Sequence, residues 1–332
     1  MTPNDYSKGN GSSADIVNRI PTFPDFKHLD LEDHEAIDLL TRQYPPYSEF
    51  NFVNLFCYDT MGDCQVSILN GNLVVRFRDY VTREPFCSFL GCNRVADTVE
   101  RLMALSREQG VSPSLQLIPE CCIRGARDDL DGRLVISEDP DGADYIIDAA
   151  SLVALTSGRW RNKRKAANKF KRSHPHHALE QMDIHDAHTQ EQIMRLFHTW
   201  AEKRHKTAHQ TQNEMKAIER LLRYSAHFQL ISLGAFLNGR LEGFTINEVV
   251  DDRHYMAHFG KTNPDYSGLA VVLESETARI MVSLGCKYMN YQQDLGLDGL
   301  KRHKCSWHPT AHLRKFTLHL AADRPIRKAV LK

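Results

Sequence analysis

One stretch of the sequence, SGRWRNKRKAANKFKRSHP at 157–175, concentrates side chains that bind anions. Eight of the fourteen residues from Arg159 to Arg172 are Lys or Arg, and no acidic residue lies between Asp148 and Glu180. A row of such cations suits phosphates spaced along a nucleic-acid backbone or on an anionic membrane. The segment therefore predicts binding to a polyanion, provided that its cations share one face.

Helical geometry places a row of these cations on one face. At 100° per residue, Trp160, Ala167 and Phe170 cluster on one side of a helix and are joined by Lys163. The helix can pack through its aromatic side and present cations on the other side; the alternative is a solvated linker helix that attracts an acidic domain. The opposite face carries Arg161, Lys165, Asn168, Lys169 and Arg172, and Arg159, Lys163 and Arg164 complete the candidate anion-binding residues.

A second group of candidate residues lies in DLGLDGLKRHKCSWHPTAH, at 294–312. Asp294 follows the last predicted strand, and open α/β sheets commonly bind ligands at strand ends. The alternative role for Asp294 is to cap the chain after the strand. Lys301, Arg302 and Lys304 form a second basic cluster that can flank the same anion.

Other chemistries find no support in the sequence. No nucleophile elbow, phosphate-binding Walker loop or dinucleotide fingerprint occurs. The eight cysteines follow no framework spacing, which is typical of reduced thiols in a cytoplasm. We expect no bound metal, because the nearby group of His303, Cys305, His308 and His312 matches no standard zinc spacing.

The charge of the chain is divided between its halves. Residues 1–148 hold 13 Lys and Arg against 25 Asp and Glu, a net charge of −12, and residues 149–332 hold 29 against 17, a net of +12. This asymmetry predicts a polyanionic partner for the second half, or attraction between two oppositely charged domains. The sequence contains no run of about 18 apolar residues, so it predicts no membrane-spanning helix. Residues 1–20 are polar and are expected to form a flexible leader.

The same order of elements occurs in both halves. Each half is predicted to contain a helix, a hairpin with an Asn-Gly turn, a further strand, a helix and a strand. The two Asn-Gly pairs stand at 70–71 and 238–239. This order favours mixed α/β sheets in two tandem units.

Two C-terminal stretches, HFGKTNPDYSGL and YMNYQQDLGLDGLKRHKCSWHP, resemble the soluble C-terminal domain of bacterial phosphatidylglycerol lysyltransferases and its stand-alone relatives. PTFPDFKHLDLED and LTSGRWRNKRKAANKF also resemble segments of that family, so the resemblance covers about residues 20–316. It implies two tandem GNAT-type acyltransferase domains. It also implies transfer of an amino acid from aminoacyl-tRNA to a lipid, peptide or small-molecule acceptor, with no bound cofactor.

Together with composition, charge and element order, the resemblance divides the chain into a leader (1–20), an acidic GNAT-like domain (21–150), a basic linker helix (151–178) and a basic GNAT-like domain (179–332). Under it, Asp294 is expected to hold the α-ammonium of the aminoacyl group or to act as base. Lys261 or Lys304 would stabilise the oxyanion or bind the terminal phosphate. Further residues expected to bind substrate or tRNA are Asn263, Gly268, Tyr291, Lys301 and Arg302.

The sequence departs from the family where Asn290, Tyr291 and Gln292 stand in place of Asn-Arg-Glu. If the absent guanidinium and carboxylate select a cationic aminoacyl group, this protein does not transfer lysine. The sequence also contains no counterpart of the membrane-embedded portion of the lysyltransferases, so the resemblance does not favour a lipid over a peptide or a small molecule as the acceptor. We expect a cytoplasmic protein with possible peripheral contact to anionic lipid; the oligomeric state is not predicted.

Two alternatives remain. Acyl-CoA GNAT enzymes use an Arg/Gln-x-x-Gly-x-Gly/Ala turn for the pyrophosphate, and the corresponding turn here runs from Asp265 through Gly268 to Ala270. An aspartate in the leading position would repel a pyrophosphate, which favours aminoacyl-tRNA over acyl-CoA. The turn could also be a plain strand-to-helix connection. The other alternative is a non-catalytic protein that binds RNA or an anionic membrane.

Overall fold

The computed structural model describes residues 12–110, 113–130, 132 and 134–321. Within these residues twelve strands form one mixed sheet. The strands are β1 Lys27–His28, β2 Gln65–Leu69, β3 Asn72–Arg78, β4 Pro85–Leu90, β5 Leu115–Pro119, β6 Leu134–Asp148, β7 Ala178–Gln181, β8 Leu230–Leu237, β9 Arg240–Val249, β10 His254–Thr262, β11 Tyr288–Asn290 and β12 Ala311–Leu320.

Helices cover both faces of this sheet. Short 3-10 segments accompany them at Leu31–Asp33, Ser48–Phe50, Gly158–Trp160 and Ser225–His227. The α-helices are α1 Ser13–Val17, α2 His34–Thr41, α3 Phe52–Tyr58, α4 Val95–Glu108, α5 Glu120–Ile123, α6 Arg127–Leu130, α7 Ala149–Ala154, α8 Arg161–Ser173, α9 Ala187–Lys203, α10 Ala208–Arg223, α11 Leu269–Ser283 and α12 Asp298–Cys305.

The strand order is β1-β2-β3-β4-β5-β12-β6-β11-β10-β9-β8-β7. Neighbouring strands pair antiparallel except for β4 with β5 and β10 with β11. A helix makes the crossover in each parallel pair, α4 in the first and α11 in the second. This repeated arrangement confirms the predicted mixed α/β class with the same order of elements in two tandem halves.

Both predicted hairpins are present. Asn70 and Gly71 connect β2 to β3, and Asn238 and Gly239 connect β8 to β9; all four residues have positive φ, as a type I′ turn requires. The residue type of Asn93 predicts that it caps the N-terminus of α4, which is wrong by one residue. Arg94 occupies the N-cap position, and the Asn93 N–H donates to Asn72 Oδ1 at 3.0 Å.

Two strands differ from the sequence-based expectation. The acidic, turn-rich composition of residues 128–148 predicts a connection at the end of the first half, but these residues contain β6. Strand β12 lies beyond the last strand of the predicted order. The register of β6 against β12 shifts between Leu313 and Lys315, so the turn-forming residues 140–143 bulge out of a continuing strand. The acidic side chains are accommodated because β12 is basic: Arg314 Nη1 lies 3.6 Å from Glu138 Oε2.

The segment expected as a flexible leader is partly helical. Residues 1–11 lie outside the described residues, but α1 begins with a capping box in which Ser12 and Asp15 bind each other's backbone. Ile16 and Ile20 are buried against the first-half core. The polar, Gly/Ser-rich composition of residues 1–20 gave no indication that Ile16 and Ile20 are buried.

The basic segment forms a packed amphipathic helix as predicted. Trp160, Ala167 and Phe170 are buried in a core shared by α7, α8, α11 and the second-half sheet. The helix ends at Ser173, two residues before Pro175. Ser157 precedes the 3-10 segment that leads into α8, without a capping hydrogen bond from its side chain.

Candidate active site between the two halves

Strands β10 and β11, the second parallel pair, separate after three paired residues and leave an opening between them. β10 and β11 pair from His254 with Tyr288 to Met256 with Asn290, and then β11 ends while β10 continues to Thr262. The Gln292 side chain crosses the opening, and its Nε2 donates to the Ala257 carbonyl at 2.7 Å. A diverging strand pair of this kind leaves backbone polar groups without a ladder partner, so the opening is lined by polar groups.

Asp294 lies in the loop that follows β11 and is completely buried. The Tyr145 hydroxyl of β6 donates to Asp294 Oδ2 at 2.5 Å, and the Gly296 N–H donates to Oδ1 at 2.9 Å. Burial and this carboxylate raise the pKa of Tyr145, which therefore stays protonated. Both carboxylate oxygens thus have partners, and Asp294 both caps the turn and orients a phenol.

Lys304 fastens the same loop from α12. Its Nζ donates to the carbonyls of Tyr291 at 2.5 Å and Gln293 at 2.6 Å. Burial lowers the pKa of Lys304 to about 7 despite the nearby carboxylates of Asp144 and Asp294. The structure therefore brings Lys304 near Asp294, with its ammonium turned inward onto backbone carbonyls.

A buried ionic group lies on the first-half side of Asn290. Lys315 of β12 bridges the carboxylates of Asp144, at 2.7 Å, and Glu49, and all three side chains are fully buried. Burial raises the pKa of Glu49 to about 7 against the opposing effect of Lys315. Ser48 Oγ donates to Asp144 at 2.6 Å, so this group ties the Pro45–Asn51 segment to the centre of the sheet.

Sequence reasoning missed a histidine–carboxylate pair close to this opening. His258 of β10 is buried, and its Nε2 lies 2.9 Å from Glu248 Oε2 at the end of β9. Its Nδ1 lies 3.0 Å from Asn54 Oδ1 in α3, and Asn54 Nδ2 donates to Gln292 Oε1 at 3.3 Å. Asn51 Nδ2 also donates to Glu248, at 2.7 Å. The only sequence signal was that His258 begins one of the family-like stretches.

A large cavity opens beside Glu248. It has a volume of about 1090 Å³ and lies between α2, the Pro45–Asn51 segment and the β9–β10 turn. Pro46, on its wall, accepts a hydrogen bond from Asn290 Nδ2 at 2.7 Å. The cavity therefore adjoins the end of β11, where the strand pair opens.

The stripe on α8 faces solvent. Arg161, Lys165, Asn168, Lys169 and Arg172 are all exposed, as is Lys171, and the cations among them form no ion pair within the described residues. Arg159 is exposed beside the Trp160 ring.

Two of the candidate anion-binding residues point inward instead. Arg164 Nη1 donates to the Leu155 carbonyl and, at 3.2 Å, to that of Thr156, beyond the C-terminal end of α7. Lys163 Nζ donates to Ser306 Oγ at 3.0 Å and lies 3.5 Å from the centre of the Trp307 ring. Burial lowers the pKa of Lys163 to about 8, an effect opposed by Glu274.

Glu274 of α11 is the acidic partner beneath Lys163. Burial raises its pKa to about 7, although Lys163 and Tyr291 act in the opposite direction. The hydroxyl of Tyr291 lies 3.1 Å from His303 Nε2, which places Tyr291 in this cluster beneath α8. The cluster fixes α8 to α11 and α12 through polar as well as aromatic contacts.

Within the described part of the chain, the remaining predicted residues form no hydrogen bond with the Asp294 side chain. Lys261 pairs with Glu214 at 2.6 Å and lies over the Trp200 ring, and Asn263 Nδ2 donates to Glu242 at 2.7 Å. Lys301 pairs with Asp141 at 3.0 Å, and Arg302 is exposed on α12. Gly268 has φ of +93°, and a Cβ there would lie 2.3 Å from the Ala166 carbonyl oxygen. The glycine therefore allows α11 to begin directly against α8.

Known proteins resemble this chain in sequence profile and fold. The profile of the family described as phosphatidylglycerol lysyltransferase, C-terminal, matches residues 41–319. A conserved protein of unknown function from Bacteroides thetaiotaomicron has a similar structure, with a TM-score of 0.78, 21% identity, and coverage of 89% of this chain and 99% of that one. No protein of curated function matches the sequence significantly.

Two further solved structures share the fold. The C-terminal domain of a putative lysylphosphatidylglycerol synthetase from Agrobacterium fabrum has a TM-score of 0.59 and 13% identity, covering 92% of each chain. A protein described as L-PGS from Bacillus licheniformis has a TM-score of 0.57 and 10% identity, covering 90% of this chain and 93% of that one. Within the described ranges, every helix is too short or too polar to cross a bilayer.

Proposed function

Because the chain belongs to the family of phosphatidylglycerol lysyltransferase C-terminal regions and is an acyltransferase, we propose that it moves an amino acid from an aminoacyl-tRNA to an acceptor. The aminoacyl ester of such a donor is already activated. Holding the ester next to a nucleophile therefore supplies much of the rate. The protein needs a surface for the tRNA, an opening for the ester and a route for the acceptor.

The observation that carries the proposal is the cationic face of α8. Five exposed cations on this helix have no acidic partner within the described residues: Arg161, Lys165, Lys169, Lys171 and Arg172. The helix is held rigidly, because its aromatic side is buried and Lys163 is fixed under it. A fixed row of unpaired cations fits a phosphate backbone better than a flexible tail does, because less entropy is lost on binding.

The position of α8 connects this surface to the candidate site. The helix packs on α11, which makes the crossover between β10 and β11. In our proposal the tRNA lies along α8 and its terminal ester reaches the opening between these two strands. Asp294, buried and bonded through both oxygens, acts on the α-ammonium of the amino acid through its negative charge and positions the Tyr145 hydroxyl of β6. Lys304 holds the loop that carries Asp294.

The turn before α11 favours aminoacyl-tRNA over acyl-CoA as donor. A pyrophosphate would need free backbone N–H groups at this turn. Here the Leu269 N–H donates to the Tyr266 carbonyl at 3.1 Å, and the backbone of α8 lies directly against Gly268. Asp265, which leads the turn, adds negative charge and pairs with Lys203.

The direct experiment is to incubate the purified protein with radiolabelled aminoacyl-tRNAs and cell extract. We expect label to move to an acceptor in a reaction that RNase abolishes. Label transfer that survives RNase, or that requires coenzyme A, would show that the donor is not tRNA.

A further inference from the structure

The cavity beside Glu248 has a strongly acidic lining. One guanidinium, that of Arg42, lines it together with five carboxylates. Aromatic side chains from the Tyr44–Phe50 segment form part of its wall. Carboxylates and aromatic faces both attract cations, whereas a phosphate would be repelled by this lining. The five carboxylates belong to Glu32, Glu35, Asp38, Glu248 and Asp251.

Local partners already bind some of these acids. Asp38 lies 3.3 Å from His34 Nε2. Burial lowers the pKa of His34, but the carboxylates of Asp38 and Glu248 raise it by more, so the pKa of His34 is raised overall. Asp251 accepts bonds from the backbone N–H groups of Arg253 and His254. Glu32 and Glu35 form no ion pair within the described part of the chain.

Glu248 differs from the other acids in how firmly it is held. One oxygen, Oε2, is bound by Asn51 Nδ2 at 2.7 Å and by His258 Nε2 at 2.9 Å. The other oxygen, Oε1, accepts no hydrogen bond from the described residues. Only 14% of the side chain is exposed, and Glu248 lines the cavity. The carboxylate is thus oriented by buried groups, with one oxygen left for a ligand.

The same residue is connected to the opening between β10 and β11. His258 links Glu248 to Asn54, and Asn54 reaches Gln292, whose side chain crosses the opening to Ala257. His258 points to the face of the sheet where α3, the helix that contains Asn54, lies, while α8 and α11 cover the opposite face. A donor bound along α8 and a molecule in the cavity would therefore approach the opening from opposite faces.

We propose that this cavity binds the acceptor, that the acceptor is a small cationic primary amine, and that Glu248 accepts a proton from it. This inference rests on the proposed aminoacyl-tRNA donor. The amine, once deprotonated, attacks the ester carbonyl carbon, so that a C–N bond forms and the bond from that carbon to the ribose oxygen breaks. A second proton passes from the nitrogen to the leaving ribose oxygen, and the products are an amide and deacylated tRNA.

Binding of an amine can be measured without any donor. The probe is 1,4-diaminobutane, titrated into the full chain by calorimetry at low salt, with sn-glycerol 3-phosphate as the anionic comparison. We expect saturable binding of the diamine and none of the glycerol phosphate. Glu248→Gln keeps the size of the side chain and should weaken diamine binding by about tenfold or more, as loss of a charge-assisted bond does.

Controls separate a lost contact from a lost fold. Glu191→Gln removes an exposed carboxylate from α9, far from the cavity in sequence, and should bind diamine like wild type. Glu35→Gln, at the exposed rim, should weaken binding without affecting the fold. Equal binding by wild type and Glu248→Gln, or preference for glycerol phosphate or phosphatidylglycerol vesicles, would overturn the inference.

The two proposals fail in different ways. If diamine binds but no RNase-sensitive amide forms, the donor proposal is wrong and the cavity assignment stands. If RNase-sensitive transfer occurs in extract while diamine neither binds nor accepts label, the acceptor assignment alone is wrong.

Discussion

Neutralising part of the cationic face of α8 should weaken tRNA binding in a salt-dependent manner. The triple variant Arg161→Gln, Lys165→Gln, Arg172→Gln removes three exposed charges without known partners. Each phosphate contact contributes about 0.7 to 0.9 to the slope of log K against log salt, so the slope should fall by about 2 to 3. The same relation predicts a loss of affinity of about 30- to 80-fold at 0.2 M salt, increasing at lower salt.

Filter binding or fluorescence anisotropy with one aminoacylated tRNA, over a series of salt concentrations, measures both quantities. The matched control removes three exposed cations from other surfaces: Arg19→Gln, Arg107→Gln and Lys216→Gln. It has the same change in net charge and should retain most of the affinity and slope. An unchanged slope in the α8 variant, or an equal loss in the control, would refute the assignment of α8 as the tRNA surface.

Three further predictions concern single residues. Gly268→Ala should lower the free energy of unfolding by about 2 to 4 kcal/mol for two reasons. The added Cβ would clash with the backbone of α8, and alanine disfavours the positive φ of this position. Gly285→Ala, also at positive φ but with open space around its Cβ, should lower the free energy of unfolding by only about 1 kcal/mol in the same urea titration. Asp294→Asn should fold, as judged by circular dichroism, and lose most transfer activity; unchanged turnover would remove Asp294 from the site. Glu274, with a pKa near 7 when folded, holds its proton more tightly in the native state, so the wild type loses stability as pH rises from about 4.5 to 7. The free energy of unfolding of Glu274→Gln, measured relative to that of wild type, should therefore rise by about 2 kcal/mol between pH 5 and pH 8. If this difference did not change with pH, Glu274 would not be a buried carboxylate that gains charge in this range.

Features that depend on local sequence were predictable. The amphipathic character of α8 follows from the spacing of Trp160, Ala167 and Phe170, and these residues are buried. The Asn-Gly hairpins follow from the preference of these residues for positive φ. In each case the physical cause lies within about ten residues of the chain, so the sequence alone contained it.

Features that depend on distant partners were not predictable. The acidic strand β6 is stabilised by pairing with β12, more than 160 residues later in the chain, and its composition alone resembled a turn. The group of His258, Glu248 and Asn54 combines three elements, and Asn54 lies 204 residues from His258. The orientation of Lys304 toward two carbonyls likewise required the folded loop after β11.

The central claim is that the acyl donor is an aminoacyl-tRNA, and competition for the donor tests it most directly. Label transfer from one radiolabelled aminoacyl-tRNA is measured in extract with purified protein, in the presence of increasing deacylated tRNA or increasing coenzyme A. We predict that deacylated tRNA inhibits transfer and that coenzyme A does not. Inhibition by coenzyme A with no effect of deacylated tRNA, or no protein-dependent transfer from any aminoacyl-tRNA, would contradict the claim.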